Sequence, residues 1–217
     1  MKEKALTDLQ LDMEDRCILV TGATGYVGGR LVPLLLRQGY RVRCMARDPR
    51  KLTGRWNDST TLQGQLEIVQ GDVLRPETLP TALQGVDVAF YLVHAMGDGE
   101  KGFVERERQS ALEFARIAAD RGVHRIIYLG GLGRRDTETS AHLHSRHQTG
   151  DLLRSGSVPV TELRAAMIVG SGSASFEMLR HLTEKLPVMV CPRWIETRTQ
   201  PISIEDTLAY LMAALDT

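Results

Sequence analysis

The apolar run Cys17-Ile18-Leu19-Val20 leads directly into Thr21-Gly22-Ala23-Thr24-Gly25-Tyr26-Val27-Gly28, and an amphipathic stretch then continues to Gln38. A strand, a glycine turn and a helix in that order make a phosphate site. Glycines let the backbone turn sharply and approach a pyrophosphate, and the free N–H groups at the helix start hold its negative charge. Three glycines alone say little. Placed after a strand, at the head of an amphipathic helix and at the start of β/α alternation, they say much more.

That alternation continues along the chain. Strands are predicted at Cys17 to Thr21, Arg41 to Ala46, Leu66 to Gln70, Asp87 to Val93, His124 to Leu129 and Val160 to Arg164. Helices are predicted at Tyr26 to Gln38, Pro76 to Leu83, Phe103 to Arg121, Ser140 to Arg154 and from Ser173 to Lys185, with a last one starting near Ser203. Gly39 and Gly122 stop two of them. Pro33 falls inside the first helix and is expected to bend it. Asp48-Pro49 reads as an N-cap followed by a first-turn proline, and Gly54 to Gly64 as a loop. Short extended pieces are expected around Val188 and Pro201. The fold class is α/β: a doubly wound parallel sheet of the Rossmann type, about six strands with helices on both faces. Its ligand loops collect at the carboxyl edge of the strands.

Composition narrows the class of function. The chain has 217 residues, 42% of them hydrophobic, which suits one α/β domain. Residues 1–15 read as a polar N-terminal arm and 16–217 as the domain, with 171–203 as a substrate-side segment. The 27 basic and 27 acidic residues give zero formal net charge, so nothing steers the chain globally toward nucleic acid or an anionic membrane. No apolar run is long enough to span a bilayer. Cys17, Cys44 and Cys191 are scattered and read as reduced thiols, which places the protein in the cytoplasm.

The motifs resemble the short-chain dehydrogenase/reductase superfamily, and within it the atypical NmrA-like branch and the related NAD(P)-binding epimerase-like proteins. They are the glycine loop, with its Gly-x-x-Gly-x-x-Gly spacing, Gly71-Asp72-Val73, Thr161-Glu162-Leu163-Arg164 and Pro201-Ile202-Ser203-Ile204-Glu205-Asp206. The resemblance runs from residue 16 to about 210. It implies a dinucleotide cofactor held by Gly22, Thr24, Gly25, Tyr26, Val27 and Gly28. It also implies adenine contact at Asp72 and Val73, and further contact from the strand ends at Val93, His94, Ala95 and Gly130. Asp72 as a turn or cap before Pro76 is the plainer alternative.

The end of the second strand selects between cofactors. An acid there binds the ribose 2′-hydroxyl, whereas an arginine favours a 2′-phosphate. The chain reads Cys44-Met45-Ala46-Arg47-Asp48, and Asp48 is accounted for as an N-cap. Arg47, helped by Arg43 or Arg50, therefore favours NADP(H), with NAD(H) the alternative.

The pattern departs from the superfamily at its proton relay. Active members carry Tyr-x-x-x-Lys on the helix after strand five and a serine after that strand. Here those positions hold His142-Leu143-His144-Ser145-Arg146 and Gly131. His142 and His94 are candidate acids, since histidine titrates near neutrality. Arg146 is a candidate for the nicotinamide ribose, although no useful proton donor. His142, His144 and His147 cluster without a third ligand at familiar spacing, so no metal is expected. Trp56, Trp194 and Met178 are candidates to line a substrate pocket, and Arg164, Arg193 and Arg198 to meet an anionic substrate. Two functions follow. One is an NAD(P)H-dependent oxidoreductase acting on a small carbonyl, quinone or sugar-like substrate. The other is a dinucleotide-binding sensor or assembly protein without turnover. A monomer or a homodimer is compatible with either.

Overall fold

Ile18 and Val20 belong to one hydrophobic core and Cys17 and Leu19 to another, so the first strand is buried on both faces. That double burial is why it reads as a continuous apolar run. In this computed structural model, residues 15–56, 65–93, 101–133, 141–185 and 199–216 are described, without the side chains of 101–104, 141, 142, 174, 175 and 179. The strands are β1 (Cys17–Thr21), β2 (Arg41–Ala46), β3 (Leu66–Gln70), β4 (Val88–Tyr91), β5 (Arg125–Gly131), β6 (Val160–Ala165), β7 (Ile168–Val169) and β8 (Ile202–Ser203). The helices are α1 (Gly28–Arg37), α2 (Leu79–Ala82), α3 (Lys101–Asp120), α4 (Ala141–Arg154), α5 (Ala174–Lys185) and α6 (Ile204–Ala213).

Six parallel strands form one sheet in the order β3-β2-β1-β4-β5-β6. The order reverses between β1 and β4, and folds of this type bind ligands beyond the carboxyl ends of the strands at that point. Leu31 and Leu35 of α1 and Leu208 and Leu211 of α6 pack on Ile18, Val20 and Phe90. On the opposite face Phe114 of α3, Leu153 of α4 and Leu79 of α2 pack on Leu19, Tyr91 and Tyr128. Tyr91 meets Phe114 edge-on at 4.9 Å and Tyr128 at 6.0 Å, contacts worth about 1 kcal/mol each beyond burial.

The predicted α/β sheet is the one observed, with small differences at its boundaries. Helix α1 starts at Gly28, because Gly22 to Val27 are spent on the turn. Pro76 to Thr78 form a 3₁₀ turn ahead of the four-residue α2. The extended piece expected around Pro201 is β8, and its parallel partner β7 was not expected, since two residues leave no periodicity to read. Val188 lies outside the described residues.

Pro33 does sit inside α1. Lacking an N–H, it cannot bond the carbonyl four residues back, at Gly29. The Trp56 indole N–H supplies that bond at 3.2 Å. Trp56 is therefore packed on α1 as a structural partner, which removes it from the expected substrate-lining set.

Candidate functional site

The glycine loop is built by close approach. Gly22 has φ +73°, and a Cβ there would lie 3.0 Å from the Leu92 carbonyl oxygen and 3.3 Å from the Val93 nitrogen. A Cβ on Gly28 would run into the Gly22 carbonyl. Gly25 closes the turn by donating its N–H to Gly22 at 2.9 Å. Thr21 fixes the neighbouring strand: its hydroxyl donates to the Phe90 carbonyl at 2.9 Å and accepts the Leu92 N–H at 3.1 Å. Val93 is thereby held beside Gly22. The N–H groups of Tyr26 and Val27 have no acceptor among the described residues. With the N-terminus of α1 behind them, they suit phosphate oxygens.

Arg47 is exposed just beyond the end of β2. Asp48 is committed elsewhere: its Oδ1 accepts the Arg50 N–H at 3.1 Å, and its carboxylate holds the Arg50 guanidinium at 2.9 and 3.0 Å. That pairing keeps the Asp48 carboxyl below its ordinary value. The expected N-cap is present, and Arg50 is engaged by it. Arg43 is also spent. Its side chain is 11% exposed, bonds Glu67 at 2.7 Å and donates to the carbonyls of Ala82 and Gln84. Each helper is paired with its own neighbour, Arg43 with Glu67 and Arg50 with Asp48.

Arg55 was not singled out from the sequence. Its Nη1 donates to the carbonyls of Ala23 at 3.3 Å and Thr24 at 3.1 Å, directly on the glycine loop. Asp72 sits at the end of β3, where Oδ1 accepts the Leu74 N–H at 3.0 Å and the Thr78 hydroxyl accepts the Asp72 N–H at 3.0 Å. This is the turn-forming role the sequence also allowed, and it holds Asp72 and Val73 at the crevice edge.

The far end of the crevice is differently arranged. Arg146 on α4 donates through Nη2 to the Leu129 carbonyl at 2.7 Å, and its Nε is buried without a partner among the described residues. A Cβ on Gly131 would lie 3.2 Å from Arg146 Cδ and would press on Leu143. A side chain at Gly131 would require Leu143 and Arg146 to shift. His147 is buried with Nε2 3.2 Å from the Gly131 carbonyl oxygen, and His144 pairs with Gln148 at 3.0 Å. No metal-binding group occurs among the described residues.

The Tyr128 hydroxyl donates to the Arg146 carbonyl at 2.9 Å. Burial pushes its pKa up to about 12, with the Arg146 charge opposing. Gly130 is buried, and a Cβ there would meet the Glu162 carboxylate at 2.7 Å. Burial alone would raise the Glu162 carboxyl. Hydrogen bonds and charge from Arg164 and Arg154 outweigh it and hold the group below its ordinary value. Arg164 is paired with Glu162 at 3.0 Å. Met178 on α5 is 66% exposed. His142 lies in the first turn of α4, with its side chain outside the described residues. His94, Ala95, Cys191, Arg193, Trp194 and Arg198 also lie outside them.

Residues 22–173 match the family described as NAD(P)H-binding. The chain belongs to that family. The ceramide reductase of Caulobacter vibrioides (strain NA1000 / CB15N) is 28% identical over 198 residues, covering 90% of this chain and 60% of its own. The triphenylmethane reductase of Citrobacter sp., solved in complex with NADP(H), superposes with a TM-score of 0.60 at 25% identity, over 77% of this chain and 55% of its own. The Bordetella bronchiseptica enzyme WbmH, solved with NAD+, shares the fold at a TM-score of 0.72 and 16% identity, over 93% of this chain and 72% of its own. The chain thus spans less than two thirds of the two reductases. Like other members of the family it binds a nicotinamide dinucleotide. The residues present fit that group: a glycine cradle that a Cβ would crowd, loop N–H groups without an acceptor among the described residues, and an exposed arginine. No helix among the described residues is long and apolar enough to cross a membrane.

Proposed function

We propose that this protein is an NADP(H)-dependent oxidoreductase that works without the tyrosine–lysine relay. The observation that carries the reading is the β2 end: Arg47 is exposed beside the glycine loop, while the neighbouring acid Asp48 is consumed by Arg50. The bound cofactor supplies or takes a hydride; the protein supplies position and charge. Gly22, Gly25 and Gly28 admit the pyrophosphate, Tyr26 and Val27 donate N–H groups to it, and Arg47 grips the 2′-phosphate. Asp72 and Val73 border the adenine, with Val93, His94, Ala95 and Gly130 along the rest of the dinucleotide. His142 or His94 holds the exchangeable proton, and residues 171–203 cover a small carbonyl, quinone or sugar-like substrate. A cytoplasmic location accords with the buried free thiols of Cys17 and Cys44.

A second reading is favoured by the bonded state of Arg146, His147 and Tyr128: a sensor that binds the dinucleotide and reports its occupancy without turnover. Calorimetry with NADPH and NADH, followed by cofactor oxidation against carbonyls and quinones, separates the two. Turnover lost in His142→Ala supports the enzyme, and tight binding with no turnover supports the sensor. Arg47→Ala is expected to weaken NADPH at least about tenfold more than NADH. An equal loss for both removes the NADP(H) preference.

A further inference from the structure

We propose that Arg30 is a positioning residue that couples the phosphate loop to the turn at Gly170–Ser173, so that a dinucleotide held at Tyr26 and Val27 fixes where α5 stands. The proposal rests on the dinucleotide reading, and on residues 171–203 facing the substrate, and it names the side chain that joins the two.

Arg30 lies in the first turn of α1 and reaches in two directions. Nη1 donates to the Tyr26 carbonyl at 3.3 Å, inside the glycine loop. Nη2 donates to the Ser171 carbonyl at 2.7 Å, 141 residues further along the chain. The guanidinium carbon sits 4.1 Å from the centre of the Tyr26 ring, within range of a cation–π attraction. One planar fork thus holds two loops.

The bond to Tyr26 matters because of the peptide it touches. The Tyr26 carbonyl and the Val27 N–H belong to one planar trans unit, so they point in opposite directions. Holding the carbonyl aims the N–H, which has no acceptor among the described residues. A phosphate oxygen on that N–H polarises the peptide and strengthens the bond at its carbonyl end, since hydrogen bonds in a chain reinforce one another. Occupancy at Val27 is thereby felt at Arg30 and, through Nη2, at Ser171.

The Tyr26 ring makes a second link. Its hydroxyl is buried with no partner among the described residues. It lies against Gly170, where a Cβ would come within 2.6 Å of the hydroxyl oxygen and 2.7 Å of Ile204 Cγ2. Gly170 has φ +152°, a backbone conformation that a side chain would resist. A buried hydroxyl without a partner is costly, so a shift of this turn that gave it an acceptor would be favoured. The turn is therefore the element that both ends can bias.

The same turn carries α5. The Ser173 N–H donates to the Gly170 carbonyl at 3.0 Å, and the Ser173 hydroxyl donates to the Ile168 carbonyl at 2.9 Å. The Gly172 N–H donates to Glu177 Oε1 at 3.2 Å, which joins the turn to the first turn of the helix. Residues 180–185 are exposed. The far half of α5 therefore takes its direction from this turn.

The test follows hydrogen exchange at the amides of residues 171–177 in the full chain, with and without saturating NADPH. It compares the wild type with Arg30→Met, which keeps the stem and loses the fork, and Arg30→Lys, which keeps a charge that holds one carbonyl at a time. NADPH is expected to slow exchange there at least about fivefold in the wild type and less than about twofold in both variants. Arg30→Met should weaken NADPH and NADH alike, by about threefold to tenfold, and Arg30→Lys by less than about threefold. A folded Arg30→Lys protein that still binds NADPH but loses the protection separates the bridge from the charge and supports the coupling. Direct shielding by the nucleotide would survive both substitutions, so equal protection in all three proteins would overturn it. Saturated wild type without protection at 171–177 would also overturn it. Wild-type protein that binds neither NADPH nor NADH would instead overturn the dinucleotide reading beneath it.

Discussion

At the β1–β2 end of the crevice the loop N–H groups of Tyr26 and Val27 have no acceptor among the described residues, and Arg47 is exposed. At the β5–α4 end Arg146 is bonded to Leu129, His147 to Gly131 and Tyr128 to Arg146. One end is arranged to receive an anion. The other has turned its polar groups inward to hold α4 against the sheet. Binding and proton transfer are separable tasks in such a fold, since each depends on its own loops. Here the features needed for binding are open, and Arg146, at the position of the family's lysine, is engaged in a structural bond to Leu129.

The sharpest way to break this contrast is at the open end. Gly25→Val places a branched side chain where a Cβ already lies 3.1 Å from the Gly22 carbonyl oxygen. The loop must then open, and both NADPH and NADH should lose at least about 100-fold in affinity. Gly25 is exposed, so the melting temperature should fall by no more than about 3 °C. Calorimetry and a thermal melt check both halves of the statement, and unchanged affinity would remove the phosphate site from this loop.

How much of this was legible in the residues depends on what kind of partner each one has. Gly22, Gly25 and Gly28 were legible because a sharp turn and a close backbone approach leave glycine as the choice. The central strands were legible because both of their faces are covered, so they read as apolar runs. Asp48 was legible because its partner is two residues away. Arg55 and Arg146 were not, because each bonds backbone carbonyls in a distant element and no pattern of side chains marks a carbonyl. Trp56 had a signal that went unused: a proline inside a helix leaves a carbonyl in need of a donor. The loss of the serine position was visible at Gly131, but the packing of Leu143 and Arg146 against it emerged only from the structure.

The closed end is tested at Glu162, whose side chain is 6% exposed and bound by Arg154 and Arg164. Glu162→Gln keeps the shape and removes the charge. Both arginines are about one-third exposed and partly rehydrate, so the expected cost is about 2 kcal/mol in denaturant unfolding. The carboxyl is held below its ordinary value of 4.5, so its contribution is present above that pH and is lost as the pH falls through the lowered folded-state value. The wild type should therefore lose stability on acidification more steeply than Glu162→Gln. Dinucleotide affinity should change less than about twofold if the two ends are separate. A large loss of affinity would show them to be coupled.

The smallest effect is the most specific. Trp56→Phe retains an aromatic ring against α1 and beneath Arg55 but deletes the N–H that reaches Gly29 at 3.2 Å. One buried carbonyl then lacks its donor, at a cost of about 1 kcal/mol. The cause can be isolated by giving the helix its own donor back. Pro33→Ala restores an N–H four residues after Gly29, so in that background Trp56→Phe should cost less than about 0.3 kcal/mol. The four proteins of this cycle, compared by denaturant unfolding, decide whether Trp56 stands in for the bond that Pro33 cannot make. If the two changes simply add, whatever Trp56→Phe costs has a cause other than the bond that Pro33 cannot make, and the stand-in role of the indole N–H is overturned.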